Sequence, residues 1–93
     1  MSRMSGFTAS TTWDPGAVTT TVVATTVTVP GAQPGDFALA SMSTMTDAGA
    51  DDLIMSAVVS SANTVTVSLL GDATAANLAS GTLRVKVIPF DVI

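Results

Sequence analysis

The stretch from Val18 to Val29 is threonine or valine at every position but Ala24. β-Branched side chains fit a pleated surface and lose rotamer freedom in a helix, so a run of this kind commits the chain to strands. Val18, Thr20 and Val22 share one parity, whereas Val23, Thr25, Val27 and Val29 share the other. The phase therefore switches at Val22-Val23. In a strand that switch demands a bulge or a break, because a one-residue slip sends every side chain to the opposite face. The same alphabet fills the rest of the 93 residues, with 15 Thr, 12 Val, 14 Ala and 10 Ser against one Lys, one Gln and no Glu. Residues that favour helical surfaces are nearly missing.

Turn signals divide the chain into short segments at the regular spacing of a sandwich or barrel. Phe7 to Trp13 alternates weakly and ends at Asp14-Pro15-Gly16, a tripeptide suited to a turn. Pro30-Gly31 ends the Thr/Val run, and Gln33-Pro34-Gly35-Asp36 has type II character. Asp36 to Ser41 reads as a strand with Phe37 and Leu39 inward. Met42 to Asp52 reads as a polar, irregular loop with one helical turn from Asp51. Leu53 to Ser60 and Thr64 to Leu70 form the clearest hairpin, joined through Ser61-Ala62-Asn63, with Val65, Val67 and Leu69 apolar-in and the hydroxyls out. Gly71 to Gly81 reads as a small-residue loop in which Asp72 caps a short turn. Thr82 to Phe90 closes the chain as a strand with Leu83, Val85 and Val87 on one face and Arg84 and Lys86 on the other.

The expected fold is thus all-β, a small antiparallel β-sandwich or barrel of about six short strands. It forms one domain over residues 1–93, with an extended N-terminal arm (1–12) and a C-terminal tail (88–93). A domain near this size buries only roughly 60–65% of the surface its unfolded chain exposes. Without Cys or His, neither disulfides nor Cys/His zinc staples reinforce it. Association with other chains is the remaining common reinforcement. A mean hydropathy of +0.57 with 11% charged residues points the same way.

Charge narrows the partners. Seven Asp against two Arg and one Lys give a net charge of −4 and a pI near 4.1. Three cations cannot build the patch that phosphate backbones or anionic lipid surfaces require, so neither nucleic acid nor membrane is expected. No apolar run approaches the roughly 18–20 residues of a spanning helix. The N-terminal Met-Ser-Arg-Met-Ser-Gly has no apolar stretch after its one positive charge, so no secretory signal is expected.

Chemistry is hard to assemble from these residues. With no His, a nucleophilic hydroxyl has only Asp or Lys86 as a base, and the Ser and Thr residues read as the solvated face of a sheet. Asp47, Asp51 and Asp52 are the one acidic cluster; a calcium site and a solvated loop are the two readings, and the spacing is not that of an EF-hand. Trp13 reads as core or interface packing rather than a sugar platform, since aromatics are 4% of residues. Met42 and Met45 suit either a subunit contact or core filling. No catalytic residue, metal or cofactor is expected.

Three segments in order carry a resemblance: Thr26-Val-Thr-Val-Pro-Gly-Ala32 with Gly35-Asp36-Phe37; Ala57-Val-Val-Ser-Ser-Ala-Asn-Thr-Val-Thr-Val67; and Ser80-Gly-Thr-Leu-Arg-Val-Lys-Val87. This succession, over about two thirds of the chain, resembles a group of small tailed-bacteriophage virion proteins. It departs from them at Trp13-Asp14-Pro15, where a Leu-x-Phe element is usual, and after Phe37, where a proline is usual. The resemblance implies a non-enzymatic capsid decoration (cement) protein on the outer surface of the virion, made in the host cytoplasm. Its partners would be the major capsid protein and copies of itself, as a homotrimer. A tail or head-fibre component with a receptor- or carbohydrate-binding role is the alternative. Ile88, Pro89 and Phe90, with Val92 and Ile93 beyond Asp91, are apolar positions that simple alternation does not bury in one sheet; a subunit or capsid contact and packing on the domain's own core are the two readings. With Trp13, Met42 and Met45 they form the expected subunit or capsid interface.

Overall fold

The computed structural model describes residues 6–18, 22–43, 54–71, 76–78 and 80–90. Its strands are β1 (Phe7–Trp13), β2 (Gly16–Val18), β3 (Val23–Thr28), β4 (Phe37–Met42), β5 (Ile54–Ser61), β6 (Thr64–Leu70), β7 (Ala76–Leu78) and β8 (Gly81–Ile88). Six of them make two three-stranded antiparallel sheets, ordered β1-β8-β4 and β3-β6-β5; β2 and β7 pair in a separate short ribbon. No helix occurs among the described residues.

The two sheets bury their inner faces against each other, in the manner of a sandwich. Phe7, Met42, Leu83, Val85 and Val87 come from the first sheet, and Val27, Val59, Val65 and Val67 from the second. Val65, Val67, Leu83 and Val87 are wholly buried. Full burial of one such side chain stabilises the fold by about 1.5–3 kcal/mol. The period-2 pattern of β6 and β8 explains the arrangement: each central strand sends every second, apolar residue inward. β4 lies beside β5, and β1 beside β3, but hydrogen bonding stays within each sheet, so the barrel is not closed.

The phase switch at Val22-Val23 resolves as a change of partner. β2 pairs with β7 up to Val18, and β3 starts at Val23 against β6 with Val23, Thr25 and Val27 on its inner side. Three expectations need correction. Phe37 and Leu39 point outward, 50% and 57% exposed, while Ala38 and Ala40 pack on the core. Antiparallel pairing places Ala38 opposite Val87 and Ala40 opposite Val85, so the small residues share the inner face with two buried valines. Next, the segment read as one loop from Gly71 to Gly81 contains β7. Finally, residues 7–12 of the expected arm belong to β1, held along their length by β8. The helical turn from Asp51 and the Asp72 cap lie outside the described residues.

Candidate interaction surfaces

At one end of the sandwich the β3–β4 connection is two type II turns in succession. Ala32 N–H donates to the Val29 carbonyl (3.1 Å), with Pro30 and Gly31 between them, and Gly31 has φ +95°. Asp36 N–H donates to the Gln33 carbonyl (3.0 Å) around Pro34 and Gly35, whose φ is +98°. Proline pre-sets the second residue of such a turn, and its third requires the positive φ that glycine adopts freely.

Two side chains fasten this connection. Asn63, in the β5–β6 turn at φ +64°, accepts from Gly31 N–H through Oδ1 (2.8 Å). Its own N–H donates to the Ala32 carbonyl (2.8 Å), and its carbonyl accepts from Val29 N–H (2.8 Å). Asp36, only 8% exposed, accepts from Gln33 N–H at Oδ2 (3.0 Å) and from Phe90 N–H at Oδ1 (3.1 Å). A carboxylate receiving backbone donors makes stronger bonds than a neutral acceptor does. It ties the end of β8 to the start of β4. The Pro-Gly-Ala and Gly-Asp elements therefore have a structural task, and sequence reasoning assigned Asp36 and Asn63 to turns without seeing their long-range partners.

The expected interface residues separate. Trp13 is half-buried and packs on the core. Met42 is 5% exposed and belongs to the core, which gives it the core-filling role of the two expected for it and not the interface one: as an inner-face residue opposite Leu83 it fills the sandwich interior. Pro89 is also fully buried within the chain, which removes it from the accessible tail, and Ile88 is half-buried at the end of β8. Phe90 is 53% exposed, with its ring edge facing Gly35. Met45, Val92 and Ile93, and with them Asp47, Asp51 and Asp52, lie outside the described residues.

Among the described residues, exposed apolar side chains besides Phe90 lie on both outer faces. On the first sheet Phe37 and Leu39 project from β4, in register with Ile88 and Lys86. On the second, Ile54 is 66% exposed and Val58 57% exposed on β5, and Val22 is 56% exposed ahead of β3. Between them runs a hydroxyl surface in which Thr66 of β6 lies opposite Thr26 and Val58, and Ser60 Oγ is 2.8 Å from Thr66 Oγ1. An outward Phe or Leu in β4 was concealed in the sequence because either parity of Phe37–Met42 offers an apolar face.

Among the described residues no group of three or more metal-ligating side chains occurs, and no helix is long and apolar enough to cross a membrane. In comparison with known proteins, no family model, no curated protein and no solved structure matches the chain.

Proposed function

We propose that the chain is a capsid decoration protein, a non-enzymatic subunit that binds and stabilises an assembled phage shell as a homotrimer with the major capsid protein as partner. The observation that supports this reading is the exposure of six large apolar residues: Phe37, Leu39 and Phe90 with the first sheet, and Val22, Ile54 and Val58 with the second. Val58 stands beside the hydroxyls of Thr66 and Ser60, and Phe37 and Leu39 beside Ile88 and Lys86, on hydrogen-bonded frameworks suited to adhesion. A standard interface takes roughly 800 Å² from each partner, about one sixth of the 5144 Å² this chain exposes. A trimer subunit with two neighbours and one shell contact would thus engage about half its surface. Binding of this kind stabilises the bound state by mass action, without a reaction.

The test is to add purified protein to undecorated shells of the particle and follow co-sedimentation and the thermal transition of the shell. Saturable binding with a higher shell transition supports the reading. Shells that neither retain the protein nor gain stability refute it.

A further inference from the structure

The chain is acidic, yet two of its three cations stand side by side on one face. Arg84 and Lys86 are both exposed, two residues apart on β8, the central strand of the first sheet. Register places each in a cross-strand row: Thr8–Lys86–Leu39 and Ser10–Arg84–Ser41. These six side chains line an open groove of about 600 Å³. Among the described residues the acids are Asp14 and Asp36, and neither lines it.

We propose that this groove is a docking site for an extended acidic segment of a partner protein, one that carries two carboxylates two residues apart. Alternate residues on one face of a strand repeat at roughly 6.6–6.8 Å. That spacing is shared by Arg84 and Lys86 and by the carboxylates of an Asp-x-Asp or Glu-x-Glu segment laid along β8. Opposite charges in matched register fix orientation and steer encounter. The flanking hydroxyls of Thr8, Ser10 and Ser41 offer hydrogen bonds to a backbone, and half-exposed Leu39 offers an apolar contact between carboxylates. Two cations are too few for a nucleic acid. With no aromatic in its lining, the groove has no stacking platform for a sugar. The inference goes beyond the capsid reading and does not depend on it.

The test is an NMR titration of the full chain with the peptide Thr-Asp-Thr-Asp-Thr and its Thr-Asn-Thr-Asn-Thr control. The expected result is a concentration-dependent shift of the Thr8, Ser10, Leu39, Ser41, Arg84 and Lys86 amides with the acidic peptide. The R84Q/K86Q variant and the Asn control should each bind roughly two- to thirtyfold more weakly, the range for two solvent-exposed charge pairs. Raised salt should weaken the acidic peptide alone, since exposed charges are screened. The Asn control keeps the test independent of how the variant folds. Equal binding of both peptides, or shifts confined to other residues, would overturn the proposal. So would the same shifts arising from raised protein concentration without peptide, which would assign the groove to a second copy.

Discussion

Replacing Gly31 by alanine drives a methyl group into the ring of Phe7. A Cβ at Gly31 would lie 2.8 Å from Phe7 Cε1 and 3.0 Å from Cζ. Phe7 is 8% exposed in the core, so its ring has little room to yield. The turn also holds Gly31 at φ +95°, a conformation that costs an alanine about 1–2 kcal/mol. Overpacking a filled core adds about 1–3 kcal/mol. The sum, about 2–5 kcal/mol, is a large share of the roughly 5–14 kcal/mol available to a domain of this size. Gly16 is the control: its φ is +70°, but a Cβ there meets nothing within 4 Å, so Gly16→Ala should cost only the conformational part. Urea denaturation followed by circular dichroism, at fixed protein concentration, measures both. In a double-mutant cycle, Phe7→Ala should cost about 1–3 kcal/mol less in the Gly31→Ala background than in the parent, because the collision has gone. Equal losses at Gly16 and Gly31, or strict additivity of Gly31 and Phe7, would refute the account of this packing.

Three further outcomes follow from the same structure. Asp36→Ala should destabilise by about 2–5 kcal/mol, because two backbone donors lose a charged acceptor, and Asp36→Asn by about half as much; urea midpoints, with hydrogen exchange at the Phe90 amide, measure this, and an unprotected Phe90 amide in the parent would contradict it. Asn63→Gly should cost about 0.5–1.5 kcal/mol for the lost Gly31 bond, and Asn63→Ala about 1–2 kcal/mol more for its φ of +64°; the order of their thermal midpoints checks it. Leu39→Ser and Val58→Thr, both on outer faces, should change stability by no more than about 0.5 kcal/mol yet weaken shell binding or self-association, measured by sedimentation; unchanged association in the paired variant would remove these faces from the proposed binding surface.

The central strands were legible because their alternation is unambiguous. Val65, Val67 and Leu69, and likewise Leu83, Val85 and Val87, leave one choice of inner face, and the structure adopts it. The type II turns were legible from Pro-Gly pairs, whose backbone preference is local. β4 was misread in facing because local hydrophobicity favours Phe37 and Leu39, whereas the pairing of Ala38 and Ala40 with the valines of β8 is decided more than 40 residues away. β7 escaped because three residues carry no periodicity. The roles of Asp36 and Asn63 were hidden for the same reason as the facing of β4: their decisive partners, Phe90 and Gly31, are 54 and 32 residues distant. Exposed apolar residues were anticipated at the chain's end, where Phe90 is exposed, but not on the sheet faces, because outward apolar residues in a strand look like core ones.

The most direct measurement is cryo-electron microscopy of the assembled particle with this chain located in the density. Copies clustered on the outer shell, with a sheet face or Phe90 against the major capsid protein, are the result predicted here. Copies found only at the tail or a fibre tip would contradict it.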